Sequence, residues 1–380
     1  MSIGKVWSSE ITEFEDVDSG AKVKQLTQHR AHSHHFYFTN SGWYANDTKL
    51  LVASDRNNAT NLYGIDLQTG DLQQLTDLEP IPLPREVEFL RACVNPTKDE
   101  AYFWYGLDLV ALDLTNLESR VLYTMEEGWD VSMNNCAADG AHVYASISED
   151  MSHRFRVDYL RGYVGFAETW EAMPLSKIIK VATDGSGGGP VFEEKYWIGH
   201  VNTSPTKSNI LTFCHEGPWH KVDNRIWGFD VDTGKAWKIR APQNGENVGH
   251  EYWYADGERV GYHGRNPDGT KFLGHCRYDD TDHIENSFPG NTGHIHSNDA
   301  NFIVGDGGKV VRLWKWTGEK YEGPRILCRH DSSSKIQQLH VHPRFSAKGD
   351  QVVFTTDVTG YGNVYLVDVP DFDQLPKIEE

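Results

Sequence analysis

A four-part pattern recurs seven times along this chain, and it restricts the fold more than any other property. Residues 41–76, SGWYANDTKLLVASDRNNATNLYGIDLQTGDLQQLT, show it in full. A strand runs into a polar turn at Asn46-Asp47, and the apolar strand KLLVAS follows. The loop DRNNAT then leads to NLYGIDL, and the turn Gln68-Thr69-Gly70 opens an outer strand ending QLT. Alternating apolar residues punctuated by Gly, Asn and Asp mark short antiparallel strands. The plan returns in CVNPTKDEAYFWYG with LDLVALDL, in CAADGAHVYA, in SPTKSNILTF with RIWGFDVDTGKAWKI, in WYADGERVGYHG, in SNDANFIVGDGG with VVRLWKW, and in PRFSAKGDQVVFTTD with NVYLVDV. The polar turns recur at about 50 residues, close to the period of four-stranded propeller blades.

The seventh copy stops after its third strand, NVYLVDV. Its missing turn and outer strand stand instead near the start, in Asp18-Ser19-Gly20 and AKVKQLT, which mirror TGDLQQLT of the first copy. An N-terminal strand added to the last blade would leave no open sheet edge there. The expectation is an all-β, seven-bladed β-propeller closed by that strand, a single domain over 1–380. Residues at about 151–178 break the pattern and read as an insert in blade 3.

Composition narrows the partners. A formal net charge of −19 argues against a nucleic-acid surface. Five scattered cysteines without a CxxC pair suit reduced thiols. No apolar leader or membrane-length apolar run appears, so the chain reads as cytoplasmic with no membrane partner. Oligomeric state is not legible.

The 18 histidines are not spread evenly. His34-His35, His200, His250, His294 with His296, and His340 with His342 each stand just ahead of an inner strand, in five of the seven copies. In Gln337-Gln338-Leu339-His340-Val341-His342, an extended backbone would aim both imidazoles to one side, with Gln337 near. Imidazole is the commonest metal-ligating side chain, and a glutamine carbonyl suits harder divalent ions. The loops between second and third strands add Arg56, then His215 with Glu216, Trp219, Asp223 and Arg225, then His263 and Arg265. Histidines beside arginines suit a small acidic ligand held by a metal and guanidinium forks. Ordinary uses stand beside these. Arg225 can pair with Asp223 or Glu216, and His250 can bond Glu251 or a carbonyl. The run His32, His34 and His35 can be a solvated surface stretch, and the glutamine–histidine set can be a hydrogen-bonded plug.

The combination of HEGPWHKVDNRIW, GHEYWYADG, HIHSNDANFIVGDG and QQLHVHPRFSAKGDQVVFTTD, after HFYFTNSGWYANDTKLLVASDRNNATNLYGIDLQTGDLQQLT, resembles the oligogalacturonate lyases, intracellular pectin-degrading enzymes built on a seven-bladed propeller. The resemblance runs from His35 to about residue 365. It implies metal ligands at His294, Gln337, His340 and His342, a manganese-like divalent ion, His250 as catalytic base and Arg225 as the arginine engaging substrate. The family's HxxSN pattern falls on His294, with His296 as the ligand if the register moves by two. Arg56, His215 and Arg265 are expected to bind substrate, a short anionic oligogalacturonide cleaved by β-elimination to 4,5-unsaturated products. A non-catalytic binding propeller, or a metal-dependent hydrolase on the same histidines, are the competing readings.

Overall fold

The computed structural model describes residues 2–378 apart from 84 and 244. Its strands form seven antiparallel sheets, each built around a meander taken in chain order. They belong to two compact units, one of Met1–Leu90 with Pro289–Glu380 and the other of Arg91–Phe288. The first unit holds blades 1, 6 and 7, and the second holds blades 2 to 5. Among the described residues, no helix is long and apolar enough to cross a membrane.

Within the first unit, alternation along a single strand explains how blade 7 packs. In the strand Asn363–Asp368 successive side chains point to opposite faces. Val364 and Leu366 join Leu50, Val52, Tyr63 and Ile65 of blade 1. Tyr365 and Val367 join Val304, Val311 and Leu313 of blade 6. Each such aliphatic side chain, removed from water, contributes about 1.5–3 kcal/mol. The second unit repeats the device: Val143, Ala145 and Ile147 of blade 3 pack with blade 2, while Tyr144 packs with blade 4.

The N-terminal strand is where the repeat count required it. Lys22–Gln25 pairs with Asn363–Asp368, Val23 opposite Val367 and Gln25 opposite Tyr365. Two further edge strands had no signal in the repeat. Thr12–Glu15 adds a fifth strand outside Lys22–Gln25, and Val6–Trp7 extends blade 1 beyond Leu72–Gln74.

Residues 150–175 connect two strands of blade 3, His142–Glu149 and Ser176–Ala182. The segment carries the chain's one α-helix among the described residues, Phe166–Ala172. Tyr159 and Phe166 pack on Trp197, with ring centroids 5.1 and 5.0 Å away. Trp170 reaches blade 4 at Gly217, where an added Cβ would lie 2.2 Å from the indole. With φ at +138°, Gly217 also occupies a backbone conformation that other residues avoid.

Candidate functional site

In the first unit, His294, His340 and His342 bring one donor nitrogen each to within 4.8 Å of the others. Their rings are 4.3 to 5.7 Å apart, centroid to centroid. The backbone that delivers them is not the plain extended run expected from the spacing. Gln337–Leu339 forms a 3-10 turn and His340 is extended. His342 then takes a left-handed conformation, φ +43°, just before Pro343. Such a conformation costs of order 1–3 kcal/mol for a residue with a Cβ.

Struts hold that backbone in place. Thr355 N–H donates to the Val341 carbonyl at 3.1 Å. His35 Nε2 lies 2.8 Å from the His342 carbonyl, and its Nδ1 lies 2.6 Å from Thr355 Oγ1. A carbonyl only accepts, so His35 Nε2 carries the proton and Nδ1 accepts from the hydroxyl. Burial pushes His35 down to about 3, which keeps it neutral. His34 is buried too, with Nδ1 on the His35 carbonyl. The N-terminal histidine run is therefore structural at these two positions, not a solvated stretch.

Asp306, on the strand Phe302–Gly307, fixes His294. One carboxylate oxygen accepts from His294 N–H at 2.7 Å, and the other lies 2.8 Å from Nδ1. Burial works against ionising Asp306, but His294 and these hydrogen bonds outweigh it and hold the carboxyl below its usual range. A carboxylate behind one imidazole nitrogen orients the ring and makes the other nitrogen a better donor to a metal. Tyr37 packs edge-on to His342 at 4.7 Å, and Phe38 lies 5.4 Å from His294, an apolar wall on the cluster. Burial, then the neighbouring His294, pushes His340 down to about 4, so its ring is neutral near pH 7 as a ligand must be. Three imidazoles with a carboxylate behind one of them fit a divalent first-row ion. His296 is directed elsewhere: its Nδ1 accepts from Phe345 N–H at 3.3 Å.

The second unit carries a different arrangement. Arg225 is buried, with Nη1 2.6 Å from Glu216 and Nε 3.7 Å from Glu251. Burial opposes the charge on Arg225, yet Cys214, Glu216 and Glu251 around it raise its pKa well above the usual value. Burial likewise opposes ionising Glu216, and Arg225 overcomes it, leaving the pKa lowered. For Glu251 burial prevails and the pKa is raised. His200, Cys214 and Glu251 also place donors within 4.8 Å of one another. A guanidinium already supplies positive charge there, and burial pushes the Cys214 thiol far up.

His250 stands inside the strand Asn247–Trp253, not ahead of it. The register slips between Gly249, opposite His263, and Tyr252, opposite Gly261, so His250 and Glu251 together face Tyr262. This is a β-bulge, a device that re-aims side chains. His250 has φ +50°. Its Nδ1 lies 2.9 Å from Nε2 of His263, and Trp219 packs edge-on at 4.8 Å.

A profile of the oligogalacturonate lyase family matches residues 1–373. The chain belongs to the oligogalacturonate lyase family. Members of this family are polysaccharide lyases. An oligogalacturonide lyase of Pectobacterium atrosepticum is 26% identical over 94% of this chain and 96% of its own length. An oligogalacturonate lyase of Dickeya dadantii is 26% identical over 98% of this chain and 99% of its own. A solved oligogalacturonate lyase in complex with manganese superposes with a TM-score of 0.87 at 24% identity, covering 98% of this chain and 99% of that one. The fold is that of a seven-bladed β-propeller.

Against this lyase background, three residues taken from the sequence as substrate-binding separate. Arg56, expected from the sequence to bind substrate, is paired with Glu10. Its side chain is fully buried, and both terminal nitrogens bond Glu10, at 3.0 and 3.3 Å. His215 is also internal: Nδ1 lies 2.7 Å from Asp223, Nε2 lies 3.2 Å from Glu194, and Tyr196 stacks on its ring. Arg265 ends its strand on the surface. Asp306 was not legible as a partner of His294, and His263 stood in the sequence only beside Arg265 and not with His250, although the alternation of Phe302–Gly307 is a visible signal.

Proposed function

We propose that this lyase cleaves short oligogalacturonides, such as digalacturonate, by metal-assisted β-elimination to 4,5-unsaturated uronate products. The observation that carries the reading is the convergence of His294, His340 and His342 with Asp306 behind His294. His294, His340 and His342, with Gln337 as fourth ligand, would hold the ion. The manganese named for the solved relative makes that metal the first candidate. A bound divalent ion supplies Lewis acidity toward a uronate carboxylate, acidifying the neighbouring C–H.

The remaining work falls to this chain's side chains. His250 accepts the C5 proton, general-base work worth about 10²–10⁴-fold. The electron pair forms the C4–C5 double bond as the glycosidic oxygen leaves C4. Arg225, permanently charged and anchored by Glu216, faces negative charge developing on the carboxylate. Five buried cysteines, all free, support a cytoplasmic site of action.

The test is an assay on digalacturonate against a neutral disaccharide, following ultraviolet absorbance of the unsaturated product with metal analysis alongside. Elimination adds no water, so product mass separates a lyase from a hydrolase on the same histidines. His250→Ala is expected to abolish the absorbance while leaving bound metal unchanged. Normal turnover by that variant would sink the base assignment.

A further inference from the structure

The bulge in blade 5 does more than displace His250. It brings the ring against His263, on the neighbouring strand Arg259–Arg265. The two planes are 19° from parallel with centroids 5.1 Å apart, while the facing nitrogens are 2.9 Å apart. The centroid separation is thus the nitrogen–nitrogen distance plus about one ring radius at each end, so the rings meet edge to edge along a hydrogen bond. Trp219 holds this alignment, lying 4.8 Å from His250 and 5.9 Å from His263. Gly249 makes room for the indole, since a Cβ there would sit 2.7 Å from it.

Between two neutral imidazoles, one of the facing nitrogens must donate and the other accept. If His263 Nε2 carries the proton, His250 Nδ1 accepts it and His250 Nε2 is already protonated. That tautomer cannot act as a base at Nε2. If His250 Nδ1 carries the proton, Nε2 has the lone pair, and the hydrogen bond strengthens as His250 becomes an imidazolium. We propose that His263 is a positioning residue that accepts the Nδ1–H of His250, fixing the tautomer that removes the substrate proton and sharing its charge afterwards.

The step balances. The C5–H bond breaks with its proton passing to His250 Nε2, its electrons form the double bond, and the C4–O bond breaks. The leaving oxygen takes a proton from water, and His250 returns its own to water through Nε2, which restores the Nδ1–H tautomer. This inference rests on the reading of His250 as the base. It also accounts for a left-handed histidine in a bulge, where the backbone strain serves a ring orientation.

The experiment compares His263→Leu, which removes the acceptor, with His263→Gln, whose amide oxygen can take the place of Nε2. Both are studied as metal-loaded full-length protein on digalacturonate. His263→Leu is expected to lower kcat by about 10–100-fold with KM and metal content unchanged, and His263→Gln to recover most of it. In 15N NMR of the unmodified protein, His250 should show a protonated Nδ1 and an unprotonated Nε2, and that preference should be lost in His263→Leu. The proposal is overturned if His263→Leu keeps full kcat, if Leu and Gln are equally impaired, or if His250 carries its proton on Nε2. His250→Ala is run in parallel. Full activity there removes the premise, whereas an inactive His250→Ala beside a fully active His263→Leu overturns the positioning role alone.

Discussion

Asp306 and Glu216 are carboxylates whose value lies in the side chain they hold. Replacing Asp306 by Asn keeps the shape but weakens its grip on His294 Nδ1, 2.8 Å away. A 10–100-fold loss of divalent-metal affinity is expected, measured by calorimetric titration independently of turnover. Glu216→Gln leaves buried Arg225 with Glu251 at 3.7 Å, and destabilisation toward the lower end of about 3–5 kcal/mol is expected. The folded pKa of Glu216 is depressed, so its stabilisation is fully present above the ordinary carboxylate value. It is lost as pH falls through the folded value. The gap in melting temperature between the two proteins should therefore be widest near neutral pH and close on acidification, as read by thermal unfolding across that range. His340 and His342 of the candidate metal cluster were legible because they and Gln337 are neighbours in sequence. The fates of Arg56 and His215 were not, because their partners Glu10 and Glu194 lie 46 and 21 residues away and only the folded chain brings them together.

Strands declare themselves by alternation, and every blade could be drawn from that signal; bulges do not. An extra residue at His250-Glu251 leaves the local composition unchanged, so the histidine looked as though it preceded its strand. Blades 3 and 4 carry comparable slips between Val131 and Asn134 and between Ile198 and Val201. The second of these contains His200. The insert is similar: its departure from the repeat was plain, but its docking on Gly217 depends on an absent side chain. Gly217→Ala should drive Trp170 off the loop, destabilising the protein by about 1–3 kcal/mol through overpacking, with added backbone strain. Because Glu216 and Trp219 flank that glycine, a fall in kcat is expected together with a shifted tryptophan emission. Unchanged fluorescence and activity would show that the insert is not seated there.

Over the whole molecule, the strand Lys22–Gln25 ties the beginning of the chain to Asn363–Asp368. Removing residues 2–27 takes Ala21 and Val23 from one core and Leu26 from another, and exposes a central strand as an edge. At about 1.5–3 kcal/mol for each large aliphatic group, added to the lost pairing, the deficit is comparable with the stability of an ordinary domain. The truncated protein is expected to aggregate, and a synthetic peptide of residues 2–27 to restore soluble material, as followed by size-exclusion chromatography. The same connection sets a schedule for biosynthesis. A ribosome releases the outer strand of the last blade first and its hydrogen-bonding partner last. His340 and His342 stand immediately before that final blade, backed by Thr355 within it. A nascent polypeptide halted before Thr355 therefore lacks the hydrogen bonds that brace its left-handed His342.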